Sequence, residues 1–481
     1  MKRILLVLIL LIAGSGFGQN AGFFGTPLSF VEYNSTLVEA DNFNGSNLGT
    51  VNSLVLNGSE IRTFKNGGAD VTGAFINYRI YEASSTPGSF IEESINFGSD
   101  LGDGNQLWET SSLGIDLISG LGAGDYKFEV FFRISTTGCC GGQVFQSNSG
   151  ANYTADFSLP YRTANNGNWN DTNTWIGGSV PPTGSEIGIN HDVILDVDAE
   201  VSDITISSGN TLTSESSQGR KLTILDGGTF TNNGMFTAND GSVSFQGAGT
   251  IAGTTSTTFN NVDIAGGVDF GSNNSTVNGT LTINAGGFAN TNAPTYGASS
   301  TLNFDTGGSY TIDGTTTLWV PGNSLSQGVP NNVKVETTNP LNIFGARDVT
   351  GNLTINSGAS VVQGNNDFII QGNFENSGTY SFVNNGSNPL TVEGNFNDQS
   401  GANFALSNTI GGDLVLKGDF TDNGTFTANG RAVFFTGSGS DQTVTSTTDP
   451  LTIDFIVIDK PSNKVQMLQN LNLPNNLELT N

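Results

Sequence analysis

Charge, sulfur and imidazole are scarce in this chain of 481 residues. Only 12 % of its residues are charged, His191 is its one histidine, and its two cysteines are neighbours. With a single imidazole, a Ser-His or Cys-His catalytic arrangement can be built in one way only. Two adjacent thiols without a second pair do not make a zinc site. Among the charged residues bases are the fewer: 16 Lys and Arg stand against 43 Asp and Glu, a formal net charge of −27. Such a chain repels nucleic acid and anionic headgroups by long-range Coulomb forces, so neither is an expected partner. Beyond the first dozen residues no apolar run is long enough to cross a bilayer as a helix. Proline is rare, 13 residues, and falls at turns rather than inside strand-like runs.

The first residues, MKRILLVLILLIAGSGFGQ, carry basic Lys2 and Arg3, an apolar stretch Ile4–Ile12, and Gly16 and Gly18 around Phe17. This pattern predicts a secretory signal over residues 1–18, cleaved before Gln19, and an extracellular or cell-surface address. No cysteine near that site could carry a lipid anchor.

What the chain has in quantity is glycine, 65 residues, and phenylalanine, 32 residues. Both recur in a degenerate unit, Gly-x-Phe followed by polar residues and Gly-x-aromatic. It reads GTFTNNGMF from Gly228, GNFENSGTY from Gly372, GNFNDQSGANF from Gly394 and GDFTDNGTF from Gly418. The last three copies start 22 and 24 residues apart. A unit that short cannot bury its own core and must stack on its neighbours. With short β-type runs and no helical period, residues 161–481 read as an entry segment and then, from about residue 190, a parallel β-helix of about 13 coils rising about 4.8 Å each. Phe374, Phe396 and Phe420 are expected to form one internal column, and Tyr380, Phe404 and Phe426 a second. Turn asparagines are expected to hydrogen-bond from coil to coil through their amides.

Residues 19–160 have a different texture. Alternating runs such as AFINYRIY and DYKFEVFFRIS are separated by turn residues at Asn57–Ser59, Asn66–Gly68, Thr86–Ser89 and Gly122–Asp125. This predicts an antiparallel β-sandwich with Tyr126, Phe128, Val130 and Phe132 on the buried face. The fold class is therefore all-β, a sandwich followed by a solenoid. In an exported protein Cys139 and Cys140 can close a vicinal disulfide at a hairpin tip, or stay as two thiols.

Candidate ligand sites are few. Asp192, Asp196 and Asp198 share the outer face of a strand whose inner face is Val193, Leu195 and Val197, and could offer oxygen ligands to Ca²⁺. The other reading is a solvated strand face that discourages edge pairing. Asp419 and Asp422 form a second, smaller carboxylate pair. No cofactor other than Ca²⁺ is expected. Trp108, in the polar run GDGNQLWETSS, is the glycan-stacking candidate if exposed and a core residue if not, with Tyr78, Tyr81 and Tyr126 as further aromatics. His191 reads as a turn residue.

The run GNWNDTNTWIGGSVPPTGSEIGINHDVILDV, with Trp169, Trp175, Pro181, Pro182, Ile189, Val193 and Val197, resembles the opening of G8-like domains. That resemblance implies a lead into a right-handed β-helix and associations with polysaccharide-related proteins. Residues 23–159 resemble the N-terminal sandwich of large exported proteins of Bacteroidota. Those proteins leave by type IX secretion and end in a sorting domain. No such domain is visible before Asn481, so the resemblance implies a fragment of a longer protein. Scattered bases and the missing catalytic arrangement favour a non-enzymatic, adhesin-like scaffold that meets surface glycans or other extracellular polymers. A β-helix polysaccharide lyase or hydrolase is the alternative. An accessory glycan-binding region of a larger enzyme is a third.

Overall fold

Alternating apolar side chains build the first sheets. The computed structural model describes residues 20–272, 275–383 and 386–480, and the expected signal sequence over residues 1–18 lies outside them. One sheet runs Thr36–Glu39, Ser29–Tyr33, Val55–Lys65, Asn105–Thr110, Phe97–Gly102, with Ala21–Phe23 and Ile115–Asp116 also on the long central strand. The other runs Ser46–Thr50, Tyr153–Leu159, Gly124–Thr137, Asp70–Glu82, Ile91–Ile95, with Gln143–Gln146 beside Gly124–Thr137. Pairing is antiparallel except between Ser46–Thr50 and Tyr153–Leu159. Tyr126, Phe128, Val130 and Phe132 are buried, as the alternation in DYKFEVFFRIS requires.

The predicted turn at Asn57–Ser59 is instead the interior of Val55–Lys65. Glu32 pairs with Gly58 and Tyr33 with Leu56, so Asn57 is the extra residue of a bulge. Its Oδ1 accepts from the Ser35 N–H at 2.7 Å. Gly58 lies against the Thr110 carbonyl with no space for a Cβ. An Asn-Gly pair here marks a bulge and a close backbone approach, not a chain reversal. By contrast Asn66–Gly68 does turn: Gly67 and Gly68 have φ of 58° and 86°, and the Ala69 N–H bonds to the Asn66 carbonyl.

Two compact units meet in sequence at Pro160 and Tyr161. From Tyr161 the strands pair in parallel, coil on coil, in a solenoid of about 14 coils. Parallel pairing begins before the Trp169–Pro182 segment, since Tyr161–Arg162 and Gly167–Asn168 already pair with Ser185–Ile189 and Val193–Leu195. From Lys221 on, register partners on the main ladder lie 19 to 24 residues apart. One coil is longer: Thr301 pairs with Asn332, 31 residues on. Its extra residues carry Trp319, which is buried and donates from Nε1 to the Asp348 carbonyl at 2.8 Å. Two side ladders begin here, one at Tyr310–Ile312 in this coil and one at Arg347–Val349 in the next.

The repeat resolves into three jobs. The first glycine allows the coils to touch: a Cβ on Gly394 would lie 2.5 Å from the Gly372 carbonyl oxygen, and one on Gly418 2.6 Å from Asn395 Oδ1. Neither has a positive φ, so closeness rather than backbone freedom selects glycine. The residue after it caps the next coil. Asn352, Asn373 and Asn395 each accept, through Oδ1, the N–H of the equivalent residue one coil on, at 2.8, 2.9 and 3.0 Å. Asp419 does the same for Thr443 at 2.7 Å. The expected amide ladder is thus a side-chain-to-backbone ladder, which Asp can join because only an acceptor is needed. The phenylalanine then stacks: Phe374, Phe396 and Phe420 lie 5.1 and 5.0 Å apart with rings within 10° of parallel. Tyr380, Phe404 and Phe426 form the second column at 5.1 and 5.7 Å. The two columns meet edge to face, as at Phe396 and Phe404, 4.9 Å apart at 90°.

The copy from Gly228 makes the same corner on another ladder. Phe230 pairs with Ile204 and Ile251, not with the Phe374 column. Its second glycine, Gly234, abuts two backbone carbonyls, as Gly378 and Gly424 do.

Gly394→Ala is expected to cost about 1–3 kcal/mol by overpacking, and Phe396→Ala about 3–5 kcal/mol. Gly401 has φ of 83° and open space around it, so Gly401→Ala serves as the backbone-strain control, at about 1 kcal/mol. Urea unfolding followed by circular dichroism checks the order. A Gly394→Ala variant no less stable than Gly401→Ala would refute the close-approach argument.

Candidate functional site

Trp108 faces the core. It is 7 % exposed, donates from Nε1 to Thr63 Oγ1 at 3.0 Å, and meets Phe97 edge to face. Strand alternation puts it inward on Asn105–Thr110, despite the polar residues before it, so it offers no ring to a glycan. Tyr78 and Tyr126 are buried with it.

The carboxylates Asp192, Asp196 and Asp198 do not converge on a common point. Each caps a different backbone N–H: Thr211 on Asp192 at 2.9 Å, Asn170 on Asp196 at 3.0 Å, Lys221 on Asp198 at 3.0 Å. Among the described residues no group of three His, Cys, Asp or Glu is placed to hold a metal ion. Asp419 and Asp422 separate as well. Asp419 serves the outer cap ladder, whereas Asp422 points into the core, 1 % exposed. His191 Nδ1 lies 3.1 Å from Thr163 Oγ1, which accepts the Asn190 N–H at 2.9 Å, a structural contact at the first coils. Cys139 and Cys140 are disulfide-bonded at the tip between Gly124–Thr137 and Gln143–Gln146, with Cys140 Sγ 3.5 Å from the Ala21 carbonyl.

The structure instead gathers rings and charges on the outward face of the sandwich's second sheet. On Gly124–Thr137 the residues alternating with the core-facing ones are Lys127, Glu129, Phe131 and Arg133, of which Glu129 is itself covered. Their partners on Asp70–Glu82 are Tyr81, Arg79, Asn77 and Phe75. Arg133 holds Glu92 through two bonds of 2.7 Å and lies 4.0 Å over the Phe75 ring. Arg79 bonds Glu129 at 2.7 Å and lies 4.1 Å over Phe90. Phe131 contacts Phe90 and Phe145, and Phe145 is 54 % exposed. The Arg133 hydrogen bond lowers the Glu92 carboxyl below its ordinary value. Burial, then the Glu129 charge, raises the Tyr81 hydroxyl. Lys127 is raised by its bond to Asp156. Lys127, Arg79 and Arg133 on this face each hold one carboxylate, those of Asp156, Glu129 and Glu92, beside the flat rings.

These outward residues were readable as the odd-numbered partners of the buried set in DYKFEVFFRIS. What sequence alone does not give is that Phe75, Phe90 and Phe145 arrive beside them from other strands and a loop.

Clefts open on the solenoid, and two of them are lined by polar and charged groups. One of about 480 Å³ is lined by Pro181, Asp198, Glu200, Lys221 and Gln246. The other, about 320 Å³, is lined by Thr250, Thr255, Asp269, Ser275 and Asn292.

The chain matches no family model, no curated protein and no solved structure.

Replacing Asp198 by Asn keeps an acceptor for the Lys221 N–H, whereas Ala removes it. Asp198→Ala is expected to lose about 1 kcal/mol and Asp198→Asn almost nothing. Thermal unfolding with Ca²⁺ and with EDTA checks both. A Ca²⁺-dependent rise in wild-type stability that Asp198→Asn abolishes would restore the metal reading.

Proposed function

We propose that this chain is a non-enzymatic, adhesin-like scaffold outside the cell or on its surface, with the sandwich's aromatic–arginine face meeting surface glycans or other extracellular polymers. The observation that carries the reading is the use made of the carboxylates. On the solenoid, Asp192, Asp196, Asp198, Asp203, Asp226, Asp413 and Asp419 each spend an oxygen on a backbone N–H of a neighbouring coil. Acid–base catalysis needs carboxylates that face a substrate. These face the protein's own backbone and hold a long side wall together. The sandwich face adds flat rings beside paired charges, a chemistry suited to pyranose rings and their hydroxyls. Export through a type IX route, and membership among exported Bacteroidota proteins with a G8-like opening, belong to the same reading. They rest on the sequence resemblance.

A second reading, a polysaccharide lyase or hydrolase, draws on the larger cleft, where Asp198, Glu200 and Lys221 line one opening. A glycan-binding accessory region of a larger enzyme would use the same sandwich face as the scaffold.

Glycan-array and polymer pull-down measurements on the purified protein test the scaffold reading. Retention is expected, and a Tyr81→Ala/Phe145→Ala double variant should lose at least about tenfold in affinity, the loss of roughly 1.4 kcal/mol of contact. Retention unchanged by that variant would move the site elsewhere. Reducing-sugar or unsaturated product formed from an acidic glycan, and lost in Asp198→Ala, would replace the scaffold reading by the enzyme.

A further inference from the structure

Inside the last third of the solenoid, one inward register position carries a polar residue in four successive coils. Asn376 pairs with Asp398, Asp398 with Asp422, and Asp422 with Ser446. Asn376, Asp398 and Asp422 are at most 1 % exposed. The column lies beside the stacked rings of Phe374, Phe396 and Phe420, in a core where an unpaired charge is costly.

Its donors can be counted. Asn376 Nδ2 gives one hydrogen bond to Asp398 Oδ1 at 2.6 Å. Asp422 Oδ1 takes the Gly424 N–H at 3.2 Å, and its Oδ2 takes the Ser446 hydroxyl at 3.3 Å. Among the described residues no N–H or hydroxyl reaches Asp398 Oδ2. No cation is there to compensate: among the described residues none of the ion pairs involves Asp398 or Asp422. The other charged groups on the packed strands look outward. Glu375 takes the Asn397 amide, and Asp419 takes the Thr443 N–H. The facing groups are therefore the Asn376 amide, the Ser446 hydroxyl, the Gly424 N–H and the two carboxyls themselves. An asparagine column would satisfy itself from coil to coil. Aspartate at two neighbouring positions removes the donor, and a proton between the two carboxyls restores it.

We propose that Asp398 and Asp422 form an acid-stabilised latch in the solenoid core, sharing one proton and loosening the coils around them when it is lost. Burial is the main cause that pushes Asp398 up to about 7, and burial raises Asp422 as well. Two carboxyls this close titrate as a pair. The sign follows from proton counting. From the ordinary carboxylate range up to about pH 7 the folded chain holds a proton that the unfolded chain has released. The latch is thus at full strength below that range, weakens as pH rises, and is spent above about pH 7.

Thermal unfolding of the full chain from about pH 4 to pH 9, wild type against Asp398→Asn, tests this. Asparagine at 398 supplies the missing donor without a proton. The two melting curves should agree near pH 4 and diverge as pH rises, with Asp398→Asn ahead by on the order of 5 °C at pH 8. Parallel curves would overturn the proposal. So would a wild-type melting temperature at pH 8 that rises with Ca²⁺ and falls with EDTA, since a cation would then be filling the gap. Should Asp398→Asn fail to fold, infrared spectra of the wild type decide. A protonated-carboxyl carbonyl band is expected at pH 6 and lost by pH 9, and its absence at pH 6 would refute the latch.

Discussion

Coil-to-coil contact of backbone on backbone is the constraint on which the solenoid depends. Parallel strands set the distance between coils, and everything at a corner must fit within it. At Gly394 and Gly418 the preceding coil's carbonyl or amide oxygen occupies the volume a side chain would need. At Gly378 and Gly424 two carbonyls of the preceding coil do so. Glycine at these corners is a packing requirement. Once the coils are that close, a short Asn or Asp side chain reaches the next backbone N–H, and a phenylalanine ring meets its counterpart about 5 Å away. Spacing, cap and ring stack are consequences of one geometry.

The same geometry explains the acidic composition. A corner N–H that lacks a strand partner needs an acceptor, and Asp supplies one as well as Asn does. Many of the chain's carboxylates are thereby structural. Their charges stay near solvent, where desolvation costs little. Asp398 and Asp422 depart from this pattern, because they occupy inward positions and have only each other and neutral donors.

The sandwich solves a different problem, two sheets sharing one core with one face of each left in water. On the outward face of the second sheet, Arg79 and Arg133 lie over phenylalanine rings while bonded to carboxylates. Single exposed ion pairs contribute little to stability. Rings covered by guanidinium groups that are each paired with a carboxylate make that face chemically unlike the rest of an acidic chain, and it is there that polymer contact is proposed.

Period and alternation are local properties, and both were legible in the sequence. The 22- and 24-residue spacing forced a stacked solenoid, and it named Phe374, Phe396 and Phe420 as one column and Tyr380, Phe404 and Phe426 as the other. The alternation of Tyr126 through Phe132 fixed which side of its strand was buried. Local pattern misled where a neighbour in space decided the outcome. Asn57–Gly58 has the letters of a turn but forms a bulge, because Thr110 lies against it. Trp108 follows a polar run but belongs to the core, because its strand pairs inward. The Asp192–Asp198 run could be read as a Ca²⁺ site or as a solvated strand face, and three different backbone N–H groups take its oxygens. The chain by itself determined that short β-strands must pile up to hide their rings. Only the tertiary structure decided which oxygens meet across coils, since hydrogen bonds and charge pairs between residues some twenty positions apart depend on register, and register exists only once the coils have stacked.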